Sequence, residues 1–194
     1  MSAARRPLWG LVLLAAIAGC ASPDPVLYTI APAPGPTVGG APRVVVVQQI
    51  ALARYLERSQ IVRSSENYRL EVLSNDWWGE PLAAMLGRVL VDELGQRLPQ
   101  STVLADTGAV SARADATLEL NILRLDEDGS GRLVLEAQAA VRFTGHKEPV
   151  LRGFRFVVPP PAPGVPGEVS AISTAVGRLA DGVAPMLASA AGRG

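Results

Sequence analysis

Residues 114–143 read ADATLELNILRLDEDGSGRLVLEAQAAVRF and form the clearest hairpin signal in the chain. Apolar and polar side chains alternate from residue 114 to residue 127, the period of a strand with one buried face. Asp128-Gly129-Ser130-Gly131 are turn-forming residues, and a second strand-like run, residues 133–143, follows them. The stretch therefore predicts two long antiparallel strands.

Shorter strands are predicted on both sides of this hairpin. They are residues 26–30, the β-branched run 43–50, and residues 68–73, 102–105 and 150–158, with short extended character at 60–63. We expect 43–50 to be covered on both faces, because its centre is four consecutive valines, residues 44–47. Residues 74–79, which include Trp77 and Trp78, are predicted to form a turn.

Two helices complete the prediction. Pro81 suits a first helical position, and apolar residues then recur at spacings of three and four to about Arg97. A second helix is predicted from Glu168 to about Ala190, after the proline-rich loop 159–167. The expected fold is α+β, a mostly antiparallel sheet with two main helices packed on one face.

The composition is that of a globular chain. Hydrophobic residues make up 48% and charged residues 19% of the 194 residues, which suits one domain. Lys+Arg and Asp+Glu both number 18, so the net charge is zero and no nucleic-acid partner is indicated.

The start of the chain has the layout of a lipoprotein signal. Arg5 and Arg6 precede an apolar run of about eleven residues, which is too short to span a membrane, and Ile17-Ala18-Gly19 lead to Cys20. Cys20 is the only cysteine. We expect residues 1–19 to be removed and Cys20 to carry acyl chains such as palmitate. The alternatives are a buried thiol at Cys20 and a twin-arginine signal at Arg5-Arg6.

Residues 20–25 form a short tether, and residues 26–194 are expected to form a single periplasmic domain. Two or more acyl chains make membrane attachment stable, because each buried methylene contributes about 0.8 kcal/mol. Ala21 follows the cysteine, where an aspartate would favour the inner membrane of a diderm cell. The sequence thus favours the periplasmic face of the outer membrane.

The residue types that catalysis or metal binding requires are sparse. His146 is the only histidine and lies in a polar segment without a serine or second ligand at a useful spacing. Asp126-Glu127-Asp128-Gly129 lack the further oxygen ligands of a calcium loop, and the chain has no phosphate-binding glycine motif. We therefore expect a protein that is not an enzyme and uses no cofactor.

Several segments resemble the PqiC/YmbA-type ABC-transport auxiliary lipoproteins, which accompany MCE (mammalian-cell-entry) lipid transporters. The most specific segment is Tyr55-Leu56-Glu57-Arg58-Ser59-Gln60-Ile61-Val62-Arg63. The other matching segments are Leu27-Tyr28-Thr29-Ile30, the valine strand, Asn67-Tyr68-Arg69-Leu70, and Trp78-Gly79-Glu80-Pro81-Leu82. With the lipid signal and the final helix, the resemblance spans nearly the whole chain.

The resemblance implies a non-catalytic accessory subunit that supports lipid transport between the two membranes and envelope integrity. It implies an MCE-domain partner anchored in the inner membrane. It is also compatible with a homo-oligomer, because MCE proteins form rings. Two other functions remain open: a stand-alone small-ligand or lipid-binding lipoprotein, and a structural lipoprotein that aids outer-membrane protein assembly.

Candidate contacts with a partner or with lipid are Tyr55, Arg58, Gln60, Arg63 and Trp77. Arginine and aromatic residues are enriched at interfaces, and tryptophan is large enough to anchor one. In the alternative interpretation, Tyr55 and Leu56 cover the edge of the sheet. Arg58 and Arg63 then pair with Glu57 and Glu66. Of the two tryptophans, Trp78 is expected in the core and Trp77 at the surface.

Overall fold

The structure, a computed structural model, describes residues 24–107, 110 and 112–189. The predicted signal peptide and Cys20 lie outside these residues. Within the described residues the chain forms one nine-stranded sheet and two α-helices. The elements are β1 (Val26–Tyr28), β2 (Val44–Val47), β3 (Ala51–Leu52), β4 (Gln60–Ser64), β5 (Glu71–Trp78), α1 (Leu82–Arg97), β6 (Thr102–Ala105), β7 (Ala116–Glu127), β8 (Leu133–Phe143), β9 (Val150–Val158) and α2 (Val165–Ala188).

The predicted hairpin is confirmed and forms the centre of the sheet. β7 pairs antiparallel with β8 over its whole length, from Ala116↔Phe143 to Glu127↔Leu133. β8 pairs antiparallel with β9. Paired side chains such as Leu118 and Val141 are fully buried, as the alternation predicted.

The other side of β7 is shared by three strands. β2 pairs with its start, β3 with its middle and β4 with its last residue, and all three pairings are parallel. β6 lies parallel to β2, β5 lies antiparallel to β4, and β1 lies parallel to β5. The α+β class is confirmed, and the sheet is mixed rather than mostly antiparallel, because crossovers rather than hairpins join most of the short strands.

Both helices pack on one face of this sheet, as predicted, and share a single core with it. The buried core side chains of α1 recur at spacings of three and four, among them Leu82, Met85, Leu86, Val89, Leu90 and Leu94. None of the described helices is both long enough and apolar enough to cross a membrane.

Three features of the fold differ from the prediction. Trp77 and Trp78 lie in β5 rather than in a turn, because β1 and β4 pair with that part of the chain on both sides. α2 begins at Val165, inside the predicted loop, since proline is tolerated in a first helical turn. In β2 only Val45 and Val47 are fully buried, so one face is covered and not both.

One end of the sheet collects three connections, and we name it the turn end. It comprises residues 65–70 between β4 and β5, residues 128–132 between β7 and β8, and residues 159–164 before α2. The strand ends are level there, because Ser64 pairs with Glu127, and Leu133 pairs with both Glu127 and Val158.

Candidate functional site

Three of the five predicted contact residues lie near one another on the β1, β4 and β5 side of the sheet. Gln60 and Trp77 are register partners on β4 and β5, and Leu27 of β1 is the register partner of Trp77 on the other side. Register partners point to the same face of a sheet. Arg58 lies two residues before Gln60 and is exposed. We call Leu27, Arg58, Gln60 and Trp77 the Trp77 patch.

The side chains of this patch are held in place but remain accessible. The Trp77 indole N–H donates to the Ser74 carbonyl at 3.1 Å, and the ring is half-buried. The Arg58 Nε donates to the Tyr55 carbonyl at 2.9 Å. Leu27 is exposed, whereas Trp78 is buried in the core as predicted. An exposed leucine, a tryptophan, an amide and a guanidinium together have the composition of a protein contact.

Tyr55 is separate from this patch because its hydroxyl points to β7. It lies in a short 3-10 turn, and its hydroxyl donates to Oδ2 of the buried Asp126 at 2.7 Å. Burial of the ring and the bond to Asp126 raise the pKa of Tyr55. Asp126 also accepts from Arg124, which in turn pairs with Glu66. The Tyr55 hydroxyl therefore fastens its loop to the central strand.

Arg63 lies at the turn end in a cluster of carboxylates. Its guanidinium is 3.4 Å from Glu71 and 3.6 Å from Glu168. Glu168 is 1% exposed, and neither of its carboxylate oxygens has a hydrogen-bond partner among the described residues. Burial, together with the nearby charge of Glu127, raises the pKa of Glu168 to about 7.

A second buried network, which the sequence reasoning missed, holds residues 31–42 across the helices. Arg97 is fully buried, and its guanidinium donates to Asp181 at 2.7 Å, to the Ala33 carbonyl at 3.2 Å and to the Gly177 carbonyl at 3.1 Å. Glu93 accepts from the Ala33 N–H at 2.8 Å, and burial raises its pKa to about 7. The sequence does carry a signal for this network. Glu93 and Arg97 continue the three- and four-residue spacing of the apolar residues of α1, which places them on its buried face.

The residues considered for catalysis and metal binding make contacts within the turns in which they lie. His146 is exposed in the turn between β8 and β9, with its ring edge against Phe143 at 5.8 Å between centroids. Asp128 accepts hydrogen bonds from Ser130 and Arg132, which lower its pKa and close the β7–β8 turn. Across residues 24–107, 110 and 112–189, no group of three His, Cys, Asp or Glu side chains is placed to hold a metal ion.

Two depressions lie away from the Trp77 patch. A groove of about 660 Å³ runs beside α1, and its lining combines apolar residues such as Ile50 and Val91 with polar and charged residues such as Arg88 and Asp92. The uncovered face of the sheet carries a shallow hollow of about 700 Å³ with Asn121 and Gln138 in it.

Comparison with known proteins gives a family and a fold. The sequence model of the family described as ABC-type transport auxiliary lipoprotein component matches residues 26–184. Among curated proteins, none matches the sequence.

Solved structures share the fold at low sequence identity. A crystal structure of an uncharacterised protein is 18% identical, with a TM-score of 0.70 over 84% of this chain and 97% of the other. A Xanthomonas campestris protein assigned to the DUF330 family is 17% identical, with a TM-score of 0.70 over 85% and 96%. A more distant likeness is the PelC dodecamer from Paraburkholderia phytofirmans, 14% identical with a TM-score of 0.46 over 80% and 94%.

Proposed function

The chain belongs to the family of ABC-type transport auxiliary lipoprotein components, and on that premise we propose that it is a non-catalytic accessory subunit of an MCE-type lipid transporter. Acyl chains on Cys20 anchor it to the periplasmic face of the outer membrane, and its domain docks onto an MCE-domain protein from the inner membrane. The observation that carries this proposal is the family match over residues 26–184, directly after a lipoprotein signal layout.

The short tether supports an adaptor role. Six residues, 20–25, extend at most about 20 Å, so the domain stays close to the bilayer that holds Cys20. A partner that reaches across the periplasm then meets the domain at a fixed height. Lipid transport requires such a fixed contact between the conduit and its membrane, and it requires no reactive group on the adaptor.

The Trp77 patch is the surface that we assign to the MCE partner. Trp77 and Leu27 provide apolar area, while Arg58 and Gln60 provide hydrogen-bond donors at its edge. Tryptophan and arginine are the residue types on which binding energy concentrates. Tyr55 and Arg63, in contrast, already have partners within the domain.

Recovery of the partner from membranes tests this proposal. The tagged, acylated full chain is crosslinked in intact envelopes and purified, and the wild-type protein is expected to recover an MCE-domain protein. Trp77→Ala and Arg58→Ala should each reduce that recovery about tenfold, the effect of about 1.4 kcal/mol in binding. Arg142→Ala, which removes an exposed arginine paired with Glu119, is the matched control and should recover wild-type amounts.

The outcomes separate the competing functions. Recovery of outer-membrane barrel proteins alone favours the assembly role and contradicts the transporter role. Undiminished recovery with Trp77→Ala shows that the partner binds elsewhere on the domain. Neighbouring genes for an ATPase, a permease and an MCE protein would support the transporter role, and an isolated gene would weaken it.

A lipid-binding lipoprotein is the second candidate function, and the groove beside α1 is the observation that favours it. Its volume of about 660 Å³ and the apolar part of its lining suit an acyl chain. Solvent extraction of the purified protein, followed by mass spectrometry, should release a stoichiometric lipid beyond the Cys20 acyl chains if this function is correct.

A further inference from the structure

The turn between β4 and β5 has an unusual backbone. Asn67 and Tyr68, its two central residues, have φ angles of 55° and 61°. The Arg69 N–H donates to the Glu66 carbonyl at 3.1 Å, which closes a type I′ hairpin turn. Glycine is favoured at the second central position, because a β-carbon is strained in this left-handed region. Tyrosine occupies that position here.

Packing within the domain does not explain this tyrosine. The Tyr68 side chain is fully exposed, and Leu70, two residues later, is exposed as well. Arg69 between them is exposed and has no carboxylate within 4 Å among the described residues. The turn therefore presents an aromatic, an aliphatic and a cationic side chain to the outside, in a conformation that disfavours the aromatic one.

The path of the chain brings the lipid anchor toward the same end of the molecule. β1 is parallel to β5, with Val26 level with Asp76. The residues before Val26 therefore leave the sheet in the direction of the start of β5 and the Tyr68 turn. The strand from Asp76 back to Leu70 is about 20 Å long at 3.3 Å per residue.

The reach of the tether matches this distance. Cys20 is six residues before Val26, so its sulfur lies within about 20 Å of that residue. A tether that continues in the direction set by β1 places the acyl chains, and the bilayer that receives them, beside the turn end. Val26, which is exposed and lies outside the Trp77 patch, extends the apolar surface along this path.

We propose that the Tyr68 turn, with Arg69 and Leu70, is the surface by which this domain contacts the bilayer that holds the acyl chains of Cys20. Tyrosine suits the boundary between headgroups and acyl chains, because its ring is apolar and its hydroxyl is polar. Arg69 suits the phosphate groups of phospholipids. This inference rests on the lipid anchoring in the proposed function, and it leaves the Trp77 patch for the protein partner.

The single cysteine makes a direct test simple. Because acylation occupies Cys20, Glu71→Cys provides one free thiol three residues from Tyr68, at an exposed position. Leu151→Cys, on the exposed edge strand β9, is the matched control. Each acylated full-length protein is labelled with the same fluorophore and reconstituted into vesicles of phosphatidylethanolamine and phosphatidylglycerol that contain a nitroxide lipid.

We expect the nitroxide to quench the label at residue 71 at least threefold more than the label at residue 151. Adding Tyr68→Ser to the Glu71→Cys protein should reduce its quenching to the control level, since the turn then loses its aromatic contact. Equal quenching at both positions, or quenching that Tyr68→Ser leaves unchanged, would overturn the proposal. A label that is shielded only when the MCE-domain protein is added would also overturn it and would assign the turn to that partner.

Flotation of the same samples distinguishes this inference from its premise. If the wild-type protein fails to float with the vesicles, the proposal of a Cys20 anchor is wrong, and the proposal of a bilayer contact fails with it. Protein that floats without quenching at residue 71 would leave the anchor intact and remove the bilayer contact alone.

Discussion

Glu168 is a carboxylic acid in surroundings that favour its protonated form. It lies in the first turn of α2 at 1% exposure, close to Glu127 and Glu71, and Arg63 at 3.6 Å is its nearest cation. An ordinary glutamate has a pKa of 4.5, whereas that of Glu168 is about 7. Folding therefore raises the proton affinity of this side chain.

The sign of the resulting pH dependence follows from linkage. Between pH 4.5 and 7 the folded chain holds a proton that the unfolded chain releases, so the free energy of unfolding falls as pH rises through this window. Glu168 contributes on the order of 2–3 kcal/mol to this loss, and Glu93, with its pKa of about 7, adds a loss of the same sign. The stability that these two glutamates contribute is therefore fully present below their unfolded-state pKa and is lost as pH rises towards 7.

Glu168→Gln isolates the contribution of this one residue. Glutamine keeps the shape and cannot ionise, so the variant should lose less stability than the wild type between pH 5 and pH 8. Urea unfolding at the two pH values measures the difference, with the exposed Glu148→Gln as the control. If the wild type and Glu168→Gln lose the same unfolding free energy between pH 5 and pH 8, Glu168 is ionised in the folded protein.

At the scale of elements, the two helices differ in how closely other segments of the chain approach their glycine residues. A β-carbon added to Gly177 of α2 would lie 2.7 Å from the β-carbon of Ala33 in the segment that crosses the helices. A β-carbon added to Gly87 of α1 would meet no atom within 4 Å. Replacing glycine by alanine within a helix is favourable by about 1 kcal/mol. Whether the added methyl group collides with another atom therefore decides whether each substitution stabilises or destabilises the protein.

Gly87→Ala should therefore raise the free energy of unfolding by about 0.5–1 kcal/mol, and Gly177→Ala should lower it by about 1–3 kcal/mol through overpacking. Thermal or urea unfolding of the two variants measures both effects under the same conditions. Stabilisation of similar size at both positions would mean that residues 31–42 do not press on α2.

The elements that sequence predicted well are those whose pattern is local. The alternation in β7 and β8 and the helical spacing in α1 are set by neighbouring residues and the face they bury. Parallel pairing of β2, β3 and β4 with β7 depends on contacts between distant segments, so the mixed sheet was not predicted. Ser74-Asn75-Asp76 resembled a turn, yet pairing with β1 and β4 keeps them in β5.

The candidate site was predicted in part for the same reason. The segment that includes Arg58 and Gln60 was chosen by residue type, and long-range pairing then placed Gln60 beside Trp77. Residue type alone did not reveal that the Tyr55 hydroxyl bonds to Asp126, because the two are 71 positions apart. The buried network around Glu93 and Arg97 was missed because charged residues at the i, i+4 spacing of a helix usually lie at its surface.

For the molecule as a whole, strand position predicts a gradient of local stability. β7 is paired on both sides and β8 lies between β7 and β9, whereas β1 is a three-residue strand at the edge. Amides of β7 and β8 should therefore exchange with deuterium only through global unfolding, and those of β1 at least a hundredfold faster. Hydrogen exchange followed by mass spectrometry measures both, and equal protection in β1 and β7 would contradict the expectation.

The parallel pairing of β1 with β5 also determines how the domain responds to mechanical load. Tension on the residues ahead of Val26 acts along the axis of β1, so its backbone hydrogen bonds to β5 are sheared together rather than unzipped one by one. The Tyr28 hydroxyl, bonded to Asp76 at 3.0 Å, shares that load. Further along the chain, the Ala33 carbonyl accepts a hydrogen bond from Arg97 of α1, which provides a second point of resistance to the pull. The domain would thus resist being pulled open by a force applied ahead of Val26.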